Sequence, residues 1–281
     1  MKSAVKIAVS VVSAILAEYL YRKITGKSGT INDLSAAITG LLLAFNLPPA
    51  VPLWIPVIGS AFAIIIVKQL FGGLGSNFVN PALAARAFLL ASFPVHMTNW
   101  TLPDAVSGAT VDAISGATYL AFIKGNPDFV PHGFDYAALL FGKIGGCIGE
   151  TSALALIAGG IYLIIRKVIN WRIPVFYIAS FSLFAFIFGR TGFFTGNVLF
   201  EALNGGLLLG AIFMATDYAT SPITPNGKII MGIGCGFLTV LIRFYGGYPE
   251  GVSYAILIMN LFVPFIDKYV RPRVFGKGRI K

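Results

Sequence analysis

Apolar stretches follow one another along almost the whole chain, and they leave it little choice of fold. They occupy residues 4–21, 35–46, 52–71, 81–94, 135–150, 152–165, 173–189, 197–215, 229–242 and 252–266. In hydrocarbon a backbone N–H or C=O must find its partner within its own segment, so such a chain folds as helices. Charged residues make up only 11% of the sequence, against roughly 25% in soluble domains. The expectation is an all-α, polytopic transmembrane bundle of about 9–10 hydrophobic segments, forming a single integral membrane domain over residues 1–281. The first segment runs into Arg22 and Lys23 without a convincing cleavage site, so it reads as part of the bundle and not as a leader.

Several segments are too short or too interrupted to be plain spans, which need about 20 apolar residues. Residues 35–46 end at Leu47-Pro48-Pro49 and read as a half-helix. Residues 135–150 end in Gly-Gly-Cys-Ile-Gly-Glu. The stretch Asn204-Gly-Gly-Leu-Leu-Leu-Gly210 echoes Thr39-Gly-Leu-Leu-Leu-Ala44, which suggests a duplicated core with opposed halves.

Basic residues orient the chain. Arg22, Lys23 and Lys27 form one cluster, Arg166, Lys167 and Arg172 a second, and the tail from Lys268 to Lys281 carries six more. The positive-inside bias puts all three in the cytoplasm, with the C-terminus. The loop at about 95–134 then lies outside, in a multi-pass protein of the cell's inner (cytoplasmic) membrane. The side of the N-terminus depends on whether residues 4–21 span fully. A net charge of +10 in a soluble protein would point to nucleic acid. Here the basic residues sit between and after apolar segments, so the partner is the lipid bilayer and not nucleic acid.

Polar residues inside this apolar background mark where chemistry would be. Phe71-Gly-Gly-Leu-Gly-Ser-Asn-Phe-Val-Asn-Pro-Ala82 cannot face lipid, because its irregular backbone would be unsatisfied, so Asn77 and Asn80 are expected to line a pocket. Arg86 follows within an apolar helix and either snorkels to the interface or needs a partner, with Glu150 or a bound phosphate as candidates. Glu18 is expected to face a partner or the headgroups. Glu150, beside a glycine-rich break, and Asp217, after a glycine-rich helix, are candidate carboxylates on an ion pathway. Cys147 and Cys235 are far apart and read as small buried side chains, and His96 and His132 have no metal-ligand spacing.

The longest stretch without a hydrophobic span contains a tandem repeat. Asp-Ala-Val-Ser-Gly-Ala-Thr ends at Thr110, and Asp-Ala-Ile-Ser-Gly-Ala-Thr runs from Asp112 to Thr118. Composition alone fits an ordinary loop. The pattern is, however, similar to the signal at which a flavin transferase attaches FMN to a Thr hydroxyl by a phosphoester bond. Gly116 and Ala117 before the Thr keep the backbone accessible to such an enzyme.

Taken in order, Gly-Gly-Leu-Gly-Ser-Asn-Phe-Val-Asn-Pro-Ala, Gly-Glu-Thr-Ser at 149–152, Ala-Thr-Asp at 215–217 and Tyr-Pro-Glu-Gly at 248–251 resemble one family. This is the RnfD family, a membrane component of the Rnf ion-translocating electron transport complex, together with its relative in the sodium-pumping NADH:quinone reductase. The resemblance runs from about residue 30 to 267. It implies a covalent FMN on Thr118, on the outer side of the membrane, relaying electrons between neighbouring subunits. Asp112, Ser115, Gly116 and Ala117 would be the recognition context, with Asp112 helping to hold the transferase's metal. Asn77, Asn80 and Arg86 would lie near flavin or phosphate.

The resemblance further implies a complex that couples electron flow between ferredoxin and NAD⁺ to Na⁺ or H⁺ movement, in which this chain is not active alone. Its partners would be the other Rnf-type subunits, including a second flavinylated one, and the flavin transferase. A second, non-covalent flavin such as riboflavin is in keeping with it. Tyr119 stands where the family usually has Pro, which keeps Thr110 as the competing attachment residue. The contrasting reading is a secondary transporter, with a midplane substrate site formed by the broken helices.

Overall fold

The computed structural model describes residues 2–26, 33–98, 120, 124, 136–141, 145–190, 192–247 and 250–270. Among these the regular structure is entirely helical, as expected. Three helices are long and apolar enough to cross a membrane: α1 (Lys2–Thr25), α11 (Pro225–Tyr245) and α12 (Val252–Tyr269). The remainder are shorter: α2 (Ser35–Phe45), α3 (Trp54–Ala61), α4 (Pro81–Ser92), α5 (Pro94–Met97), α6 (Tyr136–Phe141), α7 (Ala153–Ile165), α8 (Arg172–Ile187), α9 (Val198–Leu203) and α10 (Leu207–Leu209). Two π-helical stretches extend them, Phe62–Gln69 after α3 and Gly210–Met214 after α10.

Small residues let the helices approach. In the first layer a Cβ on Gly40 of α2 would fall 2.8 Å from the Ser10 carbonyl oxygen and 2.9 Å from Ala14 Cβ of α1. The Ser10 hydroxyl donates to the Gly40 carbonyl at 2.7 Å and lies 3.1 Å from Ser60 Oγ on α3, tying three helices at one point. In the second layer Gly232 and Gly236, four residues apart on α11, lie against Tyr177, Ser180 and Phe181 of α8. Such close backbone approach is how helices associate where lipid removes the hydrophobic drive. Beside it, Tyr177 and Thr239 share a hydrogen bond of 2.7 Å.

Two expectations need correction. The apolar run 197–215 is not one segment. It breaks after α9 at Asn204, and Gly205 and Gly206 take left-handed φ of 69° and 68° before α10 begins. Two adjacent glycines tolerate that conformation, and a helix cannot continue through it. Glu18 does not face a partner or the headgroups. It is buried and receives Lys68 Nζ at 2.9 Å and Gln69 Nε2 at 2.8 Å, both from the π-helical stretch after α3.

Candidate functional site

The half-helices end against each other. α2 stops at Asn46, and the stretch after α10 stops at Met214, with Asn46 Nδ2 3.2 Å from Met214 Sδ. Both are C-terminal ends, where unpaired carbonyls concentrate partial negative charge. The segment that follows α6 helps to satisfy α2: Gly149 N–H donates to the Phe45 carbonyl at 2.9 Å and Ile148 N–H to that of Leu47 at 3.0 Å. Only a glycine fits at 149, because a Cβ would sit 2.5 Å from Phe45 Cβ.

Helix α4 supplies the remaining donors. Asn80 caps it, accepting from the N–H of Ala82 at 3.0 Å and of Leu83 at 3.2 Å, while its own Nδ2 donates to the Met214 carbonyl at 3.2 Å. In the second turn of the helix, Arg86 Nε donates to the Asn46 carbonyl at 3.3 Å. The other guanidinium nitrogens reach Ser253 Oγ and the Glu250 carboxylate. Cys147 Sγ lies 3.8 Å from Arg86 and donates to the same Asn46 carbonyl at 3.2 Å. A buried guanidinium thus faces a helix C-terminus on one side and a carboxylate on the other.

The ion-pair partner of Arg86 is therefore Glu250, and not Glu150 as the sequence suggests. Glu150 lies nearby, against the α9–α10 break, where a Cβ on Gly206 would fall 2.7 Å from its Oε1. Among the described residues it makes no ion pair. Asp217 is joined to Asn80 through two residues. Thr220 Oγ1 donates to Asp217 Oδ2 at 2.9 Å. With the Asn260 amide oriented to satisfy its neighbours, its nitrogen donates to the Thr220 carbonyl at 3.0 Å and its oxygen accepts from Asn80 N–H at 3.0 Å.

Asn77 is buried, and its Oδ1 has no hydrogen-bond partner among the described residues. The turn leading to it contains Gly72, Gly73 and Gly75, all at positive φ. A buried acceptor left unsatisfied is costly, so the position is where a ligand's donor would fit.

A second arginine cluster closes the α9–α10 break. Arg243 of α11 is fully buried. It donates to the carbonyls of Glu201 at 2.5 Å and of Asn204 and Gly205 at 3.3 Å each, and to Glu201 Oε2 at 3.2 Å. Arg190 Nε also reaches Glu201, at 2.6 Å. Leu120 is buried on this cluster, its Cδ1 pressed against the position a Gly205 Cβ would take. Lys124 Nζ donates to the carbonyls of Arg243 and Gly246. The chain just after the tandem repeat is thus fastened to the Arg243 cluster. Thr110, Asp112, Ser115, Gly116, Ala117 and Thr118 lie outside the described residues.

Sequence reasoning assigned no role to Glu250, Arg243, Glu201 or Arg190. Glu250 was within reach, since it stands in the Tyr-Pro-Glu-Gly motif. Arg243 follows a long apolar run, and the signal for it was the same as for Arg86, a charge that hydrocarbon does not tolerate alone.

A model of the NQR2, RnfD, RnfE family matches residues 1–276. The chain belongs to this family. It is 50% identical over 276 residues to the D subunit of the Na⁺-translocating ferredoxin:NAD⁺ oxidoreductase complex of Acetobacterium woodii, a match covering 98% of this chain and 83% of that protein. It is 46% identical over 276 residues to the D subunit of the proton-translocating ferredoxin:NAD⁺ oxidoreductase complex of Clostridium ljungdahlii, covering 96% and 82%. It is 40% identical over 271 residues to the D subunit of the ion-translocating oxidoreductase complex of Stutzerimonas stutzeri, covering 88% and 77%. The family resemblance read from four short motifs therefore holds over nearly the whole chain, and the protein is a membrane protein of this class.

Proposed function

We propose that this chain is the RnfD membrane component of an Rnf-type, ion-translocating ferredoxin:NAD⁺ oxidoreductase complex, and that it carries FMN as a phosphoester on Thr118. The observation that carries the reading is the likeness, over nearly the whole of this chain, to D subunits of such complexes, combined with a complete Asp-x-x-Ser-Gly-Ala-Thr signal ending at Thr118. The flavin loop lies on the extracytoplasmic side and the C-terminus in the cytoplasm. A flavin transferase matures the protein, and further subunits, one of them also flavinylated, pass electrons to and from it.

The residues present suit two flavins. Leu120, two positions after Thr118 in sequence, is buried at the Arg243 cluster, which provides a rigid anchor for the chain that follows the attachment residue. Asn77, with its unmatched buried oxygen beside a glycine-rich turn, would accept from a non-covalent flavin such as riboflavin, and Asn80 and Arg86 stiffen the helix that follows. Bound flavin supplies the one-electron chemistry. The protein holds it, excludes water and sets the surrounding charge. Glu150 and Asp217 are the carboxylates through which this chain would contribute to Na⁺ or H⁺ movement.

The test is in-gel flavin fluorescence after full denaturation, with the protein co-expressed with a flavin transferase. Fluorescence in the wild type and in Thr110→Ala, lost in Thr118→Ala, supports the assignment. Loss only in Thr110→Ala moves the site to the first repeat. A dark wild-type band beside an active transferase removes the electron-carrier reading.

A further inference from the structure

A cavity of about 360 Å³ opens where the end of α7, the start of α8, the loop after Met214 and the first turn of α11 meet. It is distant in sequence from every residue given a flavin or ion role above, except Asp217. Its volume is within the range of sites for small ligands, roughly 300–1,000 Å³. The charge of its lining is one-sided. Lys167 and Lys228 contribute to the wall, with the polar side chains of Asn170, Thr216 and Ser221, and among the described residues no carboxylate lines it. Asp217, the nearest acid in sequence, points its Oδ2 to the Thr220 hydroxyl instead. Neither lysine has an ion-pair partner among the described residues.

The two aromatic residues of the wall, Trp171 and Tyr218, are both exposed. Exposed Trp and Tyr at the ends of apolar helices are what the headgroup layer selects. The Arg172 guanidinium lies over the Trp171 ring at 5.4 Å, and the Tyr218 hydroxyl donates to the Val168 carbonyl, so the rim is held in place. Lys167 takes a left-handed conformation, φ 56°, at the end of α7. Glycine would fit that position without strain, yet it carries a cation beside the cavity.

We infer that this cavity binds a phosphate-bearing anion, through Lys167 and Lys228, at the level of the membrane surface. The shared chemistry is a phosphate mono- or diester with donors to its oxygens and no acid opposing it. Basic pockets between transmembrane helices take lipid headgroups in this way, and a soluble phosphate compound would use the same groups. Because its lysines have no part in the proposed flavin sites, the inference stands or falls independently of them.

The experiment uses the intact complex in neutral detergent, with phosphatidylcholine, phosphatidylglycerol or inorganic phosphate added, and reads retained lipid by mass spectrometry and the midpoint of heat aggregation. Lys167→Gln/Lys228→Gln is compared with Lys23→Gln/Lys268→Gln, which removes the same charge elsewhere. If two cations each contribute roughly fivefold near a membrane surface, phosphatidylglycerol should be retained over phosphatidylcholine by about tenfold or more. The cavity variant alone should lose that preference. Stabilisation by inorganic phosphate that only the cavity variant loses, without lipid selectivity, supports the same site with a soluble phosphate as its occupant. Equal behaviour of the two double variants in every arm overturns the inference, and a single symmetric size-exclusion peak for each sample shows whether the variant remains folded.

Discussion

Asn46 and Met214 stand at the C-terminal ends of two half-helices and touch, Nδ2 to Sδ, at 3.2 Å. Two negative helix ends meeting in an apolar interior would repel unless something positive lay between or beside them. Arg86 takes that position, donating to the Asn46 carbonyl at 3.3 Å, and Asn80 donates to the Met214 carbonyl from the start of the same helix. One helix, α4, thus satisfies both ends, and Glu250 balances the charge this requires.

Removing either Arg86 or Glu250 should therefore be severe. A buried charge left without its partner costs about 3–5 kcal/mol. Arg86→Met and Glu250→Met should each lower the thermal midpoint of the detergent-solubilised complex by many degrees. The double variant should be less destabilised than the sum of the two, but should not reach wild type, because the Asn46 carbonyl keeps only the weaker Cys147 donor. A double variant equal to the sum of the singles would show that the pair is not a unit.

At the α9–α10 break, Gly205→Ala and Gly206→Ala should both destabilise, for two reasons. Left-handed backbone costs a residue with a Cβ about 1–2 kcal/mol. The added atom would also collide with Leu120 Cδ1 at 205, and at 206 it would lie 2.7 Å from Glu150 Oε1. Under the proposed function the two should differ in their effect on flavin attachment. Gly205→Ala should reduce covalent flavin incorporation measured by fluorescence per mole of folded protein, since it displaces Leu120, whereas Gly206→Ala should leave incorporation intact. The reverse order would separate Leu120 from the attachment loop.

Asn77 and Asn80 make a contrasting pair. Asn80→Ala removes a helix cap worth about 1 kcal/mol and a donor to Met214. Its first effect should be a lower melting midpoint. Asn77→Ala removes an oxygen with no protein partner among the described residues, so stability should be nearly unchanged or rise. Non-covalent flavin, released by acid precipitation and quantified by chromatography, should fall several-fold in Asn77→Ala. Unchanged flavin content there would detach Asn77 from any cofactor.

Much of this arrangement was legible in the residues. Hydrocarbon tolerates few compromises, so Leu47-Pro48-Pro49 and the glycines before Asn77 already announced broken helices, and Arg86 announced an ion pair. The identity of the partner was not legible. Glu150 and Glu250 are both glutamates beside glycines, and only the packing of α12 on α4 decides which reaches Arg86. The break at Gly205 was hidden because Leu207-Leu208-Leu209 resumes the apolar pattern at once. Periodicity over so few residues does not distinguish one helix from two. The Asn80–Asn260–Thr220–Asp217 chain joins three segments and has no local signature.

Asp217, in the loop between Met214 and α11, gives a prediction in pH. Burial pushes its carboxyl above the ordinary value of 3.8, against the hydrogen bonds from Thr220 and from the N–H groups of Ala219 and Tyr218 that favour the charged form. Between that ordinary value and the raised one, the folded protein holds a proton that the unfolded chain has released. Stability from this group is therefore complete below the unfolded value and is lost as pH rises through the folded one. Asp217→Asn cannot ionise and keeps an oxygen for the Thr220 hydroxyl. The difference in melting midpoint, variant minus wild type, should be near zero in acid and grow positive as pH rises toward neutrality, then level off. A difference that is flat with pH would mean that the fold does not raise this carboxyl, and one that turns negative on raising pH would mean that the ionised carboxylate is stabilised in the fold, as it would be with a cation bound to it. Repeating the scan in Na⁺ and in choline buffers separates those cases: a sodium-dependent loss of the variant's advantage would place the ion at Asp217.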